Sequence, residues 1–313
     1  MMANYVFGVD VGGTTVKMGL FDTNGNIIDK WEIPTRREEN GKNILPDIAE
    51  SIQGKMGEKQ IAAEEVAGVG VGVPGPVDGN GIVHKAVNLG WGQFDLKKEL
   101  TGLLHGMRVE GGNDANVAAL GEMWKGGGQG YQNLVAVTLG TGVGGGIIIN
   151  GEIMTGSTGA GGEIGHIHVE DHETESCGCG NFGCLEEYAS ATGIARLANR
   201  ALQASDKDSV LRKGKVSAKT VFDAVKAGDE LAIEVAREFG EYLGKGLGII
   251  AGIINPEIFV IGGGVSKAGE VLFDYIKPPF EKTVFQGCKD TVFALATLGN
   301  DAGIYGAAKM VLD

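Results

Sequence analysis

Positive charge is in short supply. The chain has 27 lysines and arginines against 40 aspartates and glutamates, a formal net charge of −13. That balance argues against a nucleic-acid footprint and against a basic helix lying on a membrane. Proline is scarce, with 7 in 313 residues. No Gly-X-Y period is present, so collagen and Pro/Gly-rich disorder are both excluded. The opening Met1-Met2-Ala3-Asn4-Tyr5 has no charged stretch leading into an apolar one, and no targeting segment is expected. The longest apolar run, residues 246–265, is interrupted by Asn255, Pro256 and Glu257. It reads as a helix ending before the proline and a strand at 258–261, not as a membrane span. Of only four cysteines, Cys177, Cys179 and Cys184 are clustered and Cys288 is distant. Such clustering favours metal binding in a reducing compartment over a disulfide framework, and the cytoplasm is the expected location.

Glycine is abundant, with 55 residues, well above the usual share of about 7%. Glycines in such number serve turns and close backbone approaches. Residues 5–9 read as a strand, followed by the turn Asp10-Val11-Gly12-Gly13-Thr14-Thr15 and a strand at 16–22. A turn at Asn24-Gly25-Asn26 then leads into a third strand at 27–33. Ile44, Leu45, Ile48, Ile52 and Met56 recur at helical spacing, and 66–73 reads as a buried strand ending at Pro74-Gly75-Pro76. The opening pattern returns as a strand at 134–139, a glycine turn at 140–146, a strand at 147–149, and a hairpin turn before 152–154. Two copies of one β-meander predict an internally duplicated, two-domain α/β fold with a cleft between the halves. Helices are predicted at 194–202, 220–227, 230–254 and 267–275. A last helix at 303–312 is placed to cross back to the first domain.

Three glycine turns and one aspartate carry candidate chemistry. In Asp10-x-Gly12-Gly13-Thr14, adjacent glycines let backbone N–H groups converge on an anion, and the aspartate can hold a cation beside it. A tight hairpin capped by Asp10 explains the same residues equally well. Gly140-Thr141-Gly142-Val143-Gly144-Gly145 matches G-x-G-x-x-G, with Glu163 at the spacing of a ribose-binding acid. A dinucleotide site needs a helix to begin in that turn, whereas a strand follows here. No G-x-x-x-x-G-K-[ST] P-loop occurs in the chain. Gly262-Gly263-Gly264 after the strand at 258–261 permits close approach to a flat ligand, or is an ordinary strand-to-helix turn. Asp114, within Asn113-Asp114-Ala115-Asn116, stands at or next to a helix N-cap. It is either simply the cap or a carboxylate kept ionised and aimed to accept a hydroxyl proton in phosphoryl transfer.

The densest local signal is Glu163-x-Gly165-His166 followed by Cys177-Gly178-Cys179-Gly180-Asn181-Phe182-Gly183-Cys184-Leu185-Glu186. Three thiolates and an imidazole make a tetrahedral Cys3His site for which zinc is preferred. A closed set of four ligands is structural. His166, His168 and His172 compete for the fourth position. Glu163 and Glu186 flank the metal loop, either as acceptors for sugar hydroxyls or as solvated charge.

Taken in order, Asp10-x-Gly-Gly-Thr, Asn113-Asp114-Ala115-Asn116, Gly140-Thr141-Gly142-x-Gly144-Gly145-Gly146, Glu163-x-Gly-His166, the Cys-Gly-Cys-Gly-x-x-Gly-Cys-Leu-Glu segment and Gly262-Gly263-Gly264 resemble the ROK family over nearly the whole chain. This is the family of repressors and sugar kinases, and the resemblance is greatest to its glucokinases of Gram-positive type. It implies an actin-like (ribonuclease H-like) fold. The expected division is a smaller N-terminal domain of residues 1–115 plus about 301–313, and a larger domain of 116–300 carrying the zinc loop. The implied activity is ATP-dependent phosphorylation of glucose at its 6-hydroxyl, with Asp114 as the base. Mannose, fructose, allose or an N-acetylated hexosamine are the alternative substrates. Gly75, Asn113, Glu163, His166 and Glu186 are implied to bind the sugar with Asp114. Gly12, Gly13, Thr14, Thr15, Lys17, Thr138, Gly140, Thr141 and Gly142 are implied to hold the phosphates of ATP, Asp10 its Mg2+, and Gly262, Gly263 and Gly264 the adenosine. His166 with Cys177, Cys179 and Cys184 is implied to hold a structural Zn2+. A homodimer or homotetramer is expected. A sugar-sensing regulator is the lesser expectation, because the family's repressors carry a DNA-binding module before the first strand.

Overall fold

The computed structural model describes residues 3–313. Met1 and Met2, which belong to the expected first domain and to the leader reading, lie outside the described residues. The first sheet opens with β1 (Tyr5–Val11), β2 (Thr15–Asp22) and β3 (Ile27–Pro34), an antiparallel meander. After helix α1 (Ile44–Lys59), strand β4 (Val66–Val73) runs parallel to β1. All but one of its residues are buried, as expected of a parallel strand covered on both faces. Helix α2 (Leu96–Leu103) leads to β5 (Val109–Asn113), parallel to β4, and β5 runs straight into α3 (Asp114–Lys125). The strand order is β3-β2-β1-β4-β5.

The second sheet repeats that order. It contains β6 (Leu134–Leu139), β7 (Val143–Ile149), β8 (Glu152–Ile153), β9 (Ile258–Gly262) and β10 (Val292–Leu295), arranged β8-β7-β6-β9-β10. Its β9 is parallel to both β6 and β10. Between β8 and β9 lie α4 (Ala191–Ala204), α5 (Ala218–Lys226) and α6 (Glu230–Ile254). The apolar run at 246–265 resolves as expected. Helix α6 ends at Asn255, whose left-handed φ of 50° stops it, and β9 begins after Pro256. Helix α7 (Val271–Thr283) starts later than the predicted 267, because Gly269 at φ 86° separates it from a single 3-10 turn. The glycine turn expected over 140–146 is confined to 140–142. Gly144, Gly145 and Gly146 belong to β7, which begins at Val143.

Helix α8 (Ala302–Leu312) returns to the first sheet, lying against β1 and β4 and beside α3. The approach is possible because glycines lie at the contacts. A methyl group on Gly70 would collide with the Ala307 carbonyl, and one on Gly306 with the Val117 carbonyl. By compactness the chain divides into Met1–Gln132, Gly146–Gly162 and Leu298–Asp313 as one unit, and Asn133–Gly145 with Glu163–Thr297 as the other. The expected boundary at 115/116 therefore differs from this division. Helix α3 stays with the first unit because α8 packs on it. No helix among the described residues is long and apolar enough to cross a membrane.

Candidate active site

In the first unit the site residues gather at the carboxyl ends of parallel strands, where open α/β sheets bind ligands. Asp10 near the end of β1 is in register with Gly72 of β4, and Gly72 with Gly112 of β5, immediately before Asn113. Burial pushes the Asp10 carboxyl up to about 6. Lys17 opposes that shift and the charge of Asp114 adds to it. Lys17 is opposite Asp10 on β2, and its Nζ donates to the Asn300 carbonyl at 3.1 Å. The turn is held shut. Gly12 N–H donates to the Thr15 carbonyl at 3.0 Å, Thr35 Oγ1 to the Gly12 carbonyl at 2.7 Å, and Thr35 N–H to the Thr14 carbonyl at 2.9 Å.

Asn113 is the N-cap of α3. Its Oδ1 accepts from the N–H groups of Ala115 (3.0 Å) and Asn116 (3.2 Å). Its Nδ2 donates to the Gly75 carbonyl at 3.1 Å and to Asp114 Oδ1 at 3.0 Å. Asp114 is thus the first helical residue and not the cap. Its Oδ1 accepts the Ala115 N–H at 2.8 Å, which orients the carboxyl group at the positive end of the helix. Gly75, at φ 99°, has a conformation closed to most side chains, so its meeting with Asn113 depends on glycine.

In the second unit His166, Cys177, Cys179 and Cys184 bring one ligand atom each within 4.8 Å of one another. Cys177 Sγ lies 3.8 Å from His166 Nδ1, and Cys179 Sγ lies 3.6 Å from Cys184 Sγ. Tetrahedral zinc with Zn–S of about 2.3 Å and Zn–N of about 2.0 Å sets such edges at roughly 3.5–3.8 Å, so the four groups fit the ion. His168 is engaged elsewhere, with Asp171 Oδ1 at 2.8 Å and the Phe182 carbonyl at 2.9 Å. Neither it nor His172 joins the cluster. Burial pushes the thiols of Cys177 and Cys184 up, whereas a backbone N–H from Asn181 draws that of Cys179 down.

The other nitrogen of His166, Nε2, lies 4.0 Å from Glu163 Oε2. Glu186 opens a one-turn helix at Glu186–Ala189. Its Oε1 is 3.1 Å from Cys177 Sγ and 3.9 Å from His166 Nδ1, and its Oε2 accepts the Val143 N–H at 3.3 Å. Glu163, His166 and Glu186 therefore share one locality with the cysteines. The glycine turn lies beside them: Gly140 N–H donates to the Gly142 carbonyl at 3.0 Å, and the Gly140 carbonyl accepts from Ala191 N–H at 2.8 Å. Thr138 is exposed on β6 and is in register with Gly262 of the parallel β9. Gly263, at φ 83°, packs over the Leu139 backbone. Residues 140–142 and 262–264 thus leave the ends of adjacent strands.

The family model described as ROK family matches residues 6–313. The chain belongs to the ROK family. Among curated relatives, this ROK chain is 45% identical to a glucokinase of Halalkalibacterium halodurans, covering 99% of this chain and 96% of that one. It is 38% identical to a glucokinase of Thermotoga maritima, over 98% and 96% of the two chains. Among solved structures it is similar to a ROK family glucokinase from Streptomyces griseus in complex with glucose and AMPPNP. That match has a TM-score of 0.73 and 34% identity, with 98% of each chain covered. The duplicated 3-2-1-4-5 sheet of this ROK protein is the actin-like fold that its motifs imply.

Sequence reasoning missed several residues of this ROK chain. Glu122 is buried, with Oε1 accepting from Leu298 N–H at 3.0 Å and Oε2 from Gly127 N–H at 2.9 Å. Its spacing on α3 is that of the buried Ala119 and Met123 side of the helix, a signal that was available. Thr35, Val143 and Gly303 support site residues without any local mark. Gly303 faces Asp10, whose Cγ would lie 2.7 Å from a methyl group added there.

Proposed function

We propose that this ROK protein is a glucokinase, transferring the γ-phosphoryl group of ATP to the 6-hydroxyl of glucose to give glucose 6-phosphate and ADP. The observation that carries the reading is the division of labour at the start of α3: Asn113 caps the helix, which leaves the carboxyl group of Asp114 beside it, oriented by the Ala115 N–H, for the role of base. Asp114 accepts the 6-hydroxyl proton as the hydroxyl oxygen bonds to the γ-phosphorus, and the bond from phosphorus to the β–γ bridging oxygen breaks to release ADP. Asn113, Glu163, His166 and Glu186 bind sugar hydroxyls, with Gly75 held against Asn113. The turns at Gly12, Gly13, Thr14 and Thr15 and at Gly140, Thr141 and Gly142, with Lys17 and Thr138, are assigned to the phosphates. Gly262, Gly263 and Gly264 are assigned to the adenosine. Asp10 is the residue to hold Mg2+, which when bound neutralises phosphate charge.

His166, Cys177, Cys179 and Cys184 are proposed to hold a structural Zn2+. The ion would fix the loop from which Glu186 extends, because four protein ligands leave no open position for chemistry. A reducing cytoplasm suits clustered free thiols. A homodimer or homotetramer is proposed, supported by apolar side chains left exposed on the second unit: Ile249 and Ile253, one turn apart on α6, and Phe285 after α7. Light scattering tests that assembly.

The activity is tested by ADP release with Mg2+·ATP and a hexose panel. Highest turnover on glucose supports the reading. Turnover only on mannose, fructose, allose or an N-acetylated hexosamine replaces the substrate and keeps the chemistry. Asp114→Asn is expected to lower kcat by about 10²- to 10⁴-fold while glucose still binds, and near-normal turnover removes Asp114 from the role of base.

A further inference from the structure

Glu186 has a close neighbour at each carboxylate oxygen. One carboxylate oxygen reaches the metal loop, 3.1 Å from Cys177 Sγ. The other accepts the backbone N–H of Val143 at 3.3 Å. Val143 directly follows the glycine turn. Its carbonyl meets the second sugar-binding segment as well, where Gly165, between Glu163 and His166, lies so close that a side chain there would collide with it. The backbone of residue 143 therefore backs both segments to which the hexose is assigned.

Gly142 completes the arrangement. Its φ is outside the left-handed region, so φ does not call for glycine here. A methyl group added to it would collide with Glu186 Oε2, with Glu186 Cδ 3.5 Å away. Glycine at this position leaves room for a carboxylate. The neighbouring Gly140 differs, since no side chain comes near it and its N–H and carbonyl close the turn onto Gly142 and Ala191.

We propose that Gly142 is a positioning residue for the hexose: it lies in the turn assigned to ATP phosphates, yet its missing side chain seats Glu186 for the sugar. The proposal rests on the glucokinase reading and on Glu186 as a sugar ligand. A methyl group here displaces the carboxylate from the Val143 N–H. The loss then falls on glucose and not on the nucleotide. Losing one charge-assisted hydrogen bond weakens binding by about tenfold or more.

The test is Gly142→Ala, with glucose binding measured by calorimetry without nucleotide and KM measured separately for glucose and ATP. The expected result is an increase of about tenfold in the glucose Kd and KM, with the ATP KM unchanged. A second variant, Glu186→Asp, shortens the carboxylate and removes the collision. Gly142→Ala is then expected to add nothing to the glucose KM when made in the Glu186→Asp background. That double variant also keeps the test open if Gly142→Ala alone folds poorly. An increase in the ATP KM with glucose affinity intact overturns the proposal, and so do effects of the two substitutions that multiply. Failure of the underlying reading is distinguishable, because the wild-type enzyme would then not turn over glucose.

Discussion

Glu173 lies in the acidic segment between His166 and the first cysteine, yet its side chain is only 3% exposed. Tyr188 Oη donates to its Oε2 at 2.6 Å, Arg200 reaches it at 3.2–3.3 Å, and Arg196 at 3.0 Å. Burial alone would raise its carboxyl, but Arg200, Tyr188, the Glu175 N–H and Arg196 outweigh that and hold it well below the usual range. Removing one partner of a buried pair costs about 3–5 kcal/mol. Arg196 retains Glu175 at 3.2 Å and Glu187 at 3.4 Å after the change, so Glu173→Gln is expected to cost the lower end of that range, about 3 kcal/mol. The measurement is urea unfolding at several pH values. A carboxyl lowered on folding adds stability that is present above the unfolded pKa of about 4.3 and is lost as pH falls toward the folded value. The gap between wild type and variant should therefore be full at pH 7 and shrink below about pH 4.3. A gap under about 0.5 kcal/mol at pH 7, typical of surface substitutions, or one that does not change with pH, would refute the reasoning.

Two further outcomes follow from the site. Gly303→Ala places a methyl group 2.7 Å from Asp10 Cγ. The Mg2+ concentration for half-maximal rate should rise with the glucose KM unchanged, and kcat can fall by up to about a hundredfold if the carboxylate moves by 1 Å; an unaltered Mg2+ titration would separate Gly303 from Asp10. Metal analysis should find one zinc per chain, absent from Cys184→Ser, with a lower melting temperature for that variant and for the chelated wild type. Equal melting with and without metal would leave the four ligands without a structural ion.

The duplicated sheet was legible because each meander consists of apolar strands bounded by glycine turns, and β4, β6 and α6 fall at the residues predicted for them. Strand β5 was not legible. Its sequence Val-Glu-Gly-Gly-Asn has no alternation, and it is a strand through its pairing with β4. The early start of β7 was hidden in the same way, since a run of three glycines reads as a turn until a neighbouring strand claims it. At the site, the structure brings Gly75, Asn113 and Asp114 together in one unit, and Glu163, His166, Glu186 and the three cysteines together in the other. The sequence left Asp114 at or next to the cap, since aspartate is a favoured cap residue; the hydrogen bonds make Asn113 the cap. Glu173 gave no sign of burial. Its arginine partners are on α4, far along the chain, and an acidic run with no visible partner reads as solvated.

The glycines show why local sequence stops short of mechanism. Gly75 and Gly263 have positive φ, so their identity is set by the backbone. Gly70 and Gly306 admit a helix against a strand and against another helix. Gly142 and Gly303 fit neither account: each has an ordinary φ, and each faces a carboxylate, that of Glu186 and that of Asp10. Substitution should separate the classes. An alanine forced into positive φ costs about 1–2 kcal/mol of stability wherever it occurs. At Gly142 or Gly303 the neighbour that must yield is a short charged side chain assigned to sugar or metal. The cost there appears in affinity for that ligand, with folding affected least.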